Sequence, residues 1–352
     1  MPSNISIPFR SYFFLIIISL ITGCEQKKSD ATAQLKSDSD DFVISFASCS
    51  NQHIPNKMWG PILSNDPDIF IWGGDIIYSD TYDMKVMKDS YQKMKNDTSY
   101  TSFRKKIPVL GTWDDHDYGI NDGGAEYTKK DSVQQLFLDF FDVDKNDPRR
   151  QQQGIYDSSL YKIGDASINL IILDTRYFRS ELTKDPEGKK RYIPDSTKNS
   201  TMLGTAQWAW LENELSDSKA DFNIIMSSIQ FLSQQHGFET WGNMPDEVRK
   251  MKELLIKTKA KRVIFLSGDR HIAEISKSDI NGLHYPLIDF TSSGMTHSYD
   301  SFKEENNMYR VSEVVSDKNF GILRFDVEKK IVKMEIRGEG NQLFQSYTQK
   351  YE

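Results

Sequence analysis

The chain has 352 residues, of which 38% are hydrophobic and 12% aromatic, and its formal net charge is −7. This length allows two average domains or one large α/β domain, and the apolar content is enough for a sizeable core. The negative charge argues against nucleic acid as the main partner, because nucleic-acid-binding surfaces are usually basic. A phosphate ester remains compatible as a substrate, because bound metal ions reverse the local sign of the charge.

The N-terminus is predicted to be a targeting segment outside the fold. Arg10 supplies a positive charge, and the apolar run from Tyr12 to Ile21 is too short to span a bilayer, which takes about 20 apolar residues. The run ends in Leu20-Ile21-Thr22-Gly23-Cys24, which resembles a bacterial lipobox, whose cysteine is lipidated and becomes the new N-terminus. We therefore expect a lipoprotein signal peptide at 1–23; the alternatives are an uncleaved signal anchor and an ordinary cleavage site.

The segment 24–41 is predicted to be a disordered tether, because it is rich in Glu, Gln, Lys, Ser and Asp and poor in apolar residues. Together with lipidation of Cys24, it predicts a protein of the bacterial cell envelope, anchored on the periplasmic side or at the cell surface. Cys49 would then have no partner for an intrachain disulfide. Such a cysteine is either buried as a small hydrophobic side chain or used chemically.

From residue 42 onwards, short β-rich runs alternate with helical patterns, which predicts an α/β domain over 42–352. The predicted strands, several of them continuous apolar runs typical of strands buried on both faces, are Phe42–Ala47, Asp68–Trp72, Ile107–Leu110, Ser167–Leu173, Phe222–Met226, Arg262–Leu266, Pro286–Phe290, Gly321–Val327 and Ile331–Ile336. The predicted helices are Pro55–Leu63, Met84–Phe103, Ser132–Phe141, Thr205–Leu215 and Pro245–Lys259. Residues 142–165 and 180–204 lack periodicity and are predicted to be loops, which often form pocket walls.

The stretch Trp113-Asp114-Asp115-His116-Asp117 follows a predicted buried strand. Three carboxylates and an imidazole at this spacing repel one another, or lose their charge, unless a cation lies between them. In an open α/β sheet, the carboxyl ends of the strands are also where ligands bind. The stretch therefore predicts one corner of a metal-dependent site.

Three other predicted strands also end in residues that can bind metals. They are followed by Ser48-Cys49-Ser50, by Gly73-Gly74-Asp75-Ile76-Ile77-Tyr78 and by Ser267-Gly268-Asp269-Arg270-His271, and Asn121 follows the Trp113 stretch. In a mostly parallel sheet these ends would converge on one edge. We therefore expect the four clusters to form a single site.

The ligand types predict two metal ions. Cys49 and Tyr78, as thiolate and phenolate, suit iron better than magnesium. Asp115, Asp269 and Asn121 offer hard oxygen ligands, which suit calcium, magnesium or manganese. Asp75 could bridge the two ions through its two oxygens. Two ions about 3.5–4 Å apart would clamp a phosphoryl group and activate a water or hydroxide for in-line displacement.

Five motifs resemble those of PhoD-like alkaline phosphatases and occur in the same order. They are Gly74-Asp75-x-x-Tyr78, Trp113-Asp114-Asp115-His116, Leu173-Asp174-Thr175-Arg176, Leu203-Gly204-x-x-Gln207-x-x-Trp210-Leu211 and Gly268-Asp269-x-His271. That family belongs to the calcineurin-like metallophosphoesterases, and the resemblance covers about Phe42 to Phe325. It implies a four-layer α/β/β/α fold and hydrolysis of phosphate esters.

The resemblance also implies roles for individual residues. It assigns an iron site to Cys49, Asp75, Tyr78 and His271, and a calcium site to Asp75, Asp115 and Asp269, with Asn121 as an added ligand and with Mg²⁺, Mn²⁺ or Zn²⁺ as alternative ions. His116 matches the family histidine that steadies the transferring phosphoryl group or protonates the leaving group. Arg176 becomes a phosphate clamp or a pocket strut. Gln230 stands where related enzymes place a further ligand.

Two departures from the family pattern bear on the substrate. Only the tether precedes the first motif strand, where longer members have a β-sandwich. Arg270 replaces the small apolar residue that is frequent between the aspartate and the histidine of the last motif. If it points inward, it adds a cation for an anionic substrate, and if it points outward, it belongs to the surface.

Several residues also have a purely structural interpretation. Cys49 could be an inert buried thiol, and Asp114 and Asp117 are expected to cap or support rather than to bind metal. Trp241 could line the substrate cleft or cover the core, and His297 could face the pocket or not. The histidines expected at the surface or in satisfied positions are His53, His236 and His284.

The sequence thus predicts a metal-dependent phosphomonoesterase or phosphodiesterase with a phosphate-ester substrate and a lipid anchor. One alternative is a phospholipase D-like phosphodiesterase acting on lipid or nucleotide diesters. An alternative from another class is a non-catalytic envelope lipoprotein that keeps the fold for binding. The intact set of predicted ligands argues against this last alternative.

Overall fold

The computed structural model describes residue 1 and residues 33–34, 41–197 and 199–352. Residues 32 to 352 form one compact unit. The predicted signal peptide, Cys24 and most of the predicted tether lie outside the described residues. Among the helices of the described segments, none combines the length and apolar character needed to cross a membrane.

The strands of the described residues form two sheets. In chain order they are β1 (Ala33–Gln34), β2 (Asp41–Ala47), β3 (Ile69–Gly73), β4 (Val109–Thr112), β5 (Asp157–Ile163), β6 (Ala166–Ile172), β7 (Phe222–Met226), β8 (Val263–Ser267), β9 (Ala273–Ser278), β10 (Leu287–Ser292), β11 (Asn319–Asp326), β12 (Ile331–Gly338) and β13 (Leu343–Lys350). The first sheet has the order β13-β12-β11-β2-β3-β4, and the second has the order β1-β5-β6-β7-β8-β10-β9.

The α-helices of the described residues are α1 (Trp59–Leu63), α2 (Met84–Lys95), α3 (Thr98–Arg104), α4 (Asp115–Tyr118), α5 (Lys130–Phe140), α6 (Gly204–Asp217) and α7 (Pro245–Thr258). Short 3-10 turns occur at Pro148–Arg150 and Trp241–Asn243. The helix α7 begins with a proline, which is favoured at a first helical position because its missing N–H has no partner there in any case.

Three apolar cores show how the layers are stacked. The first joins the facing sides of the two sheets, where Phe46 packs edge-on against Phe290 with ring centroids 4.9 Å apart. The second packs helices α1, α2, α3 and α5 against the outer face of the first sheet around Trp72. The third packs α6 and α7 against the outer face of the second sheet around Phe265. The order helix–sheet–sheet–helix confirms the predicted four-layer α/β/β/α fold.

The strands that end at the predicted ligands come from both sheets. β2, β3 and β4 are parallel neighbours in the first sheet, whereas β8 lies in the second sheet between two parallel neighbours. The prediction of a single sheet edge is therefore wrong in this respect. The four clusters meet because the two sheets are packed face to face, which places the ends of β2, β3, β4 and β8 together.

The predicted helix and strand bounds are wrong mainly in polar segments that form regular secondary structure. The predicted helix Met84–Phe103 is two helices, because the side chain of Asp97 accepts a hydrogen bond from the Tyr100 backbone N–H (2.8 Å) and starts α3. The predicted loop 142–165 contains β5, whose half-polar residues pair with β6 in an antiparallel hairpin. Within the predicted tether, β1 adds a two-residue parallel edge to β5. Edge pairing uses backbone groups and needs no apolar sequence.

Candidate metal centre

The metal-binding candidates form three overlapping groups at the strand ends. In each group the ligand atoms lie within 4.8 Å of one another, and the groups are Cys49–Asp75–His271, Asp75–Asp115–His116 and Asp114–Asp115–Asp269. Asp75 and Asp115 each belong to two groups. The overlap describes one extended cluster with room for more than one cation rather than three separate sites.

The first end of the cluster brings together four predicted ligands. The Cys49 thiol lies 3.4 Å from Asp75 Oδ2, and the Tyr78 hydroxyl donates to the same oxygen at 3.1 Å. The Tyr78 hydroxyl also lies 3.0 Å from His271 Nε2. Sulfur, phenol oxygen, carboxylate and imidazole thus converge on one point, a donor set that suits a transition metal.

The other end of the cluster consists of carboxylates. Asp115 is anchored by two backbone N–H groups, that of His116 at 3.0 Å on Oδ1 and that of Asp122 at 2.6 Å on Oδ2. Asp269 and Asp114 complete this end. Asp75 connects the two ends, because its Oδ1 also lies 3.4 Å from the His116 backbone N–H. The cluster thus has an end with mixed donor atoms and an end with carboxylate oxygens, and Asp75 lies in both.

Four of these residues have left-handed backbone conformations. The φ angles are 62° at Cys49, 52° at Asp75, 68° at Asp269 and 54° at His271. This region is sterically unfavourable for residues with a side chain and is enriched at functional sites, where it costs roughly 1–3 kcal/mol per residue. The backbone turns sharply directly after β2, β3 and β8, which points the four side chains at a common centre.

Two glycines allow the strand ends to approach closely. A Cβ on Gly74 would lie 2.4 Å from Asp114 Cβ, and one on Gly268 would lie 2.4 Å from Ser48 Oγ and 2.8 Å from the Gly73 carbonyl oxygen. Gly74 also has φ 91°. Gly74 is therefore needed where the ends of β3 and β4 meet within the first sheet, and Gly268 is needed where the end of β8 in the second sheet touches the ends of β2 and β3 in the first.

The electrostatics of the cluster favour bound cations. Burial, and then Asp115, raise the pKa of Asp75 well above its ordinary value, and burial, followed by Asp114, does the same for Asp269. Burial and Asp75 also raise the pKa of Cys49 and of Tyr78. Metal ligands must be deprotonated, and a cation between these groups would reverse each of these shifts. The donor set therefore fits the two predicted metal ions.

His116 is held by a residue that the sequence did not single out. Its Nδ1 lies 2.7 Å from Asp80 Oδ2, and its ring stacks on Tyr78 with centroids 4.2 Å apart. Burial lowers the pKa of His116, but Asp75, Asp115 and Asp80 together raise it to about 11. The hydrogen bond to the Asp80 carboxylate favours a proton on Nδ1, which leaves Nε2 as the second position of the ring for proton transfer.

Arg176 is a pocket strut in this structure and does not fit the phosphate-clamp role. Its guanidinium is fully buried, pairs with Asp114 through Nε at 2.7 Å and with Glu239 through Nη1 at 2.6 Å. Glu239 in turn pairs with the buried Arg179 at 2.9 Å. Because both carboxylates occupy the guanidinium, Arg176 acts through Asp114, which also accepts a hydrogen bond from Ser228 at 2.6 Å.

Two predicted ligands form no hydrogen bond with the cluster among the described residues. Asn121 is exposed, and no hydrogen bond of the described residues connects its side chain to the cluster, although the next residue donates its backbone N–H to Asp115. Gln230 is buried and donates through Nε2 to Glu274 and Thr291, both at 2.8 Å. Gln230 Oε1 is buried without a hydrogen-bond partner among the described residues, and a metal-binding role for Asn121 or Gln230 stays a prediction.

The structure also gives the positions of Asp117, Trp241 and His297, for which the sequence allowed a structural role. Asp117 is the expected support, since its carboxylate accepts the backbone N–H groups of Ile76 (3.1 Å) and Asp114 (2.6 Å). Trp241 covers the core, fully buried with its Nε1 donating to Ser227. His297 faces the site, with its ring 4.5 Å from that of His271.

Comparison with known proteins places this site in a family. The family model described as "PhoD-like phosphatase" matches residues 42–341. The chain belongs to the PhoD-like phosphatases. Among curated proteins, it is 23% identical over 236 residues to alkaline phosphatase D of Bacillus subtilis (strain 168), a match that spans 59% of this chain and only 40% of that protein.

Solved structures of the same fold include two phosphatases. One titled "Structure of PhoD" has a TM-score of 0.70 at 15% identity and covers 88% of this chain and 68% of its own. A dimetal phosphatase from Danio rerio has a TM-score of 0.53 at 10% identity, with coverage of 88% and 99%. At these identities the structural likeness shows the fold, and the family membership rests on the sequence match.

Proposed function

We propose that this PhoD-like chain hydrolyses phosphate esters at a two-metal centre. The observation that carries the proposal is the position of Asp75. It lies between a mixed sulfur, phenol and imidazole group and a carboxylate group, so one side chain can serve two cations. When bound, two such ions supply Lewis acidity for the phosphoryl oxygens and lower the pKa of the attacking water.

The residues of the chain then divide the remaining work. His116, protonated and oriented by Asp80, is placed to stabilise the phosphoryl oxygens or to give a proton to the leaving oxygen. A buried ion-pair network holds the carboxylate end of the cluster in place, and it consists of Arg176, Asp114 and Glu239. Separating one member of this network from its partner would leave a buried charge unpaired, which is unfavourable. The ion pairs therefore stay formed and hold Asp114 in place.

The ligand chemistry leads us to propose iron at the Cys49 end and calcium at the Asp115 end. Thiolate and phenolate ligands suit iron, whereas the carboxylates match the hard oxygen ligands that calcium prefers. Mg²⁺, Mn²⁺ and Zn²⁺ are the alternatives at the oxygen-ligand end. Elemental analysis of the purified protein is expected to find iron together with a divalent ion, and a protein purified with neither metal would contradict the two-metal proposal.

The substrate class is tested by comparing a monoester with a diester. We expect the protein to hydrolyse 4-nitrophenyl phosphate and bis(4-nitrophenyl) phosphate, with faster turnover in added calcium and loss of turnover after chelation. Activity on the diester alone would favour the phosphodiesterase alternative. A metal-loaded, folded protein that turns over neither ester would support the non-catalytic binding lipoprotein instead.

We also propose that the protein is held to a bacterial envelope membrane by lipid on Cys24. The lipobox-like sequence Leu20-Ile21-Thr22-Gly23-Cys24 supports this proposal. In cells fed a labelled fatty acid, the chain is expected to carry the label and to sediment with membranes. The variant Cys24→Ala should lose both properties, and an unchanged membrane fraction for this variant would rule out the lipid anchor.

A further inference from the structure

A basic cleft lies beside the metal centre. We use this name for a cavity of about 540 Å³ lined on one side by Lys189, Lys190 and Arg191 and on the other by His236, Phe238 and Glu305. The three cations are consecutive in a chain whose formal net charge is −7. The same loop also carries Asp185 and Glu187, so the question is which of the three positive charges is left without a salt bridge.

The two walls of the basic cleft are fixed to each other by the backbone. The Gly237 carbonyl accepts the N–H groups of Arg191 (3.0 Å) and Tyr192 (2.9 Å). A Cβ on Gly237 would lie 2.8 Å from the Cβ of Lys190, so the absence of a side chain is what permits this approach. The positions of the cations relative to His236 are therefore set by the fold.

Lys190 is the cation that forms no salt bridge among the described residues. Lys189 pairs with Glu187 at 2.6 Å, and Arg191 pairs with Asp122 at 2.6 Å. The Lys190 ammonium donates to the backbone carbonyl of Gln235 at 2.9 Å, and no carboxylate of the described residues lies within ion-pair distance of it. One positive charge on this wall is thus available to an incoming anion.

The opposite wall offers hydrogen-bond donors without acceptors. His236 is 7% exposed, and its Nδ1 accepts the Phe238 backbone N–H at 3.2 Å, which places the proton of the neutral ring on Nε2. That Nε2 is in hydrogen-bond geometry with no described residue, although the Ser233 carbonyl lies near the ring. Arg270, stacked over Phe238 at 4.2 Å, likewise has an unpartnered Nε. A buried donor without a partner is unfavourable, and a ligand acceptor would relieve this cost.

The basic cleft is connected to the metal centre on both sides. Glu305 pairs with Arg270 at 2.8 Å, and Arg270 lies between the candidate ligands Asp269 and His271 in the chain. On the other wall, Arg191 pairs with Asp122, whose backbone N–H donates to Asp115. A substrate bound at the metals would therefore have the basic cleft as its neighbouring subsite.

We propose that the basic cleft binds a second anionic group of the substrate, carried on the leaving group of the ester. Lys190 supplies the charge, His236 Nε2 supplies a directed donor, and Arg270 closes the side nearest the metals. The substrate class is then a phosphate ester that carries a further carboxylate or phosphate at some distance from the scissile phosphorus. This inference rests on the proposed function, because it assigns the basic cleft to the same substrate.

The proposal is tested with phosphonates, which bind like phosphate esters and are not hydrolysed. Phenylphosphonates carrying a 4-alkyl arm of two, four or six carbons, ending in a carboxylate or in a neutral carboxamide, are titrated calorimetrically into the metal-loaded protein. We expect one arm length to bind about fivefold more tightly as the carboxylate, the size of a partly exposed ion pair. Lys190→Gln should abolish this preference and leave the affinity for the carboxamides unchanged, and added salt should weaken it.

The neighbouring lysine provides the matched control. Lys189→Gln removes a charge that is already paired with Glu187, so it should leave the preference intact. Equal affinity for carboxylate and carboxamide at every arm length, or an equal loss in both lysine variants, would overturn the subsite. The corresponding aryl phosphates separate the two proposals: failure to hydrolyse any of them, with the binding preference intact, would count against the proposed function alone.

Discussion

The variant Asp75→Asn is expected to lose about a thousandfold in turnover of aryl phosphates while remaining folded. Asp75 is the side chain shared by both ends of the metal cluster, so its loss weakens the binding of both ions. Metal ions contribute several kcal/mol of charge stabilisation in the transition state, which corresponds to about three powers of ten in rate. Steady-state kinetics together with metal content per chain measures this loss directly.

In the metal-free protein, the substitution Asp75→Asn should raise the melting temperature, although it lowers the turnover of the metal-loaded enzyme. Burial and Asp115 disfavour the charged carboxylate at position 75, and asparagine removes that charge while tolerating the left-handed backbone at φ 52°. We expect the metal-free variant to melt about 1–2 °C above the metal-free parent at pH 8, because a stabilisation on the order of 1 kcal/mol gives a shift of this size in a domain of this length.

A buried carboxylate outside the metal groups provides the control for Asp75. Asp289 is 1% exposed and accepts the backbone N–H groups of Phe231 and Leu232, and Asp289→Asn should keep both its metal and its turnover. If Asp75→Asn retained full turnover, or if both variants lost it equally, the bridging role of Asp75 would have to be abandoned.

For Asp80→Asn we expect kcat to fall about 10- to 100-fold on phenyl phosphate and much less on 4-nitrophenyl phosphate. Asp80 acts through His116, whose ring it orients and whose pKa it raises. Loss of a carboxylate that orients an acid–base histidine typically costs one to two powers of ten. A poor leaving group needs the proton that His116 supplies, whereas 4-nitrophenolate leaves without it.

The pH profile distinguishes this role from a structural one. The acidic form of His116 should be lost at lower pH in Asp80→Asn than in the parent, because one of the carboxylates that stabilise its charge is gone. The control is Asp89→Asn in helix α2, which removes an exposed carboxylate paired with Lys85 of the same helix. It should change neither kcat nor the pH profile. An equal loss on both aryl phosphates with an unchanged profile would exclude positioning of an acid.

Sequence reasoning succeeded where the relevant information is local. An apolar strand followed by a small residue and a ligand-type residue identified the ends of β2, β3 and β8 within one or two residues, and Cys49, Asp75 and His271 do lie together. The four-layer fold is confirmed as well. The catalytic and metal-binding roles of these residues stay predictions, because proximity alone does not establish what they bind.

The sequence did not predict side-chain contacts between residues that are far apart along the chain. Nothing near Asp80 indicates that its carboxylate reaches His116, 36 residues away, since this depends on how the segment after β3 turns. The pairing of Arg176 with Glu239, 63 residues apart, depends equally on the packing of the loop after β7. The sequence motif identifies Arg176, but only the structure shows that its guanidinium is already paired with two carboxylates.

The location of the cluster between two sheets makes bound metal a cross-link of the fold. Cys49, Asp75 and Asp115 follow strands of the first sheet, whereas Asp269 and His271 follow β8 of the second. An ion bound by residues of both sheets would tie together parts of the chain that are more than 200 positions apart, and it would stabilise the folded state because it binds there and is released on unfolding. Metal retention therefore reports on the packing of the sheets, so that a cavity made between Phe46 and Phe290 would first be noticed as faster loss of metal.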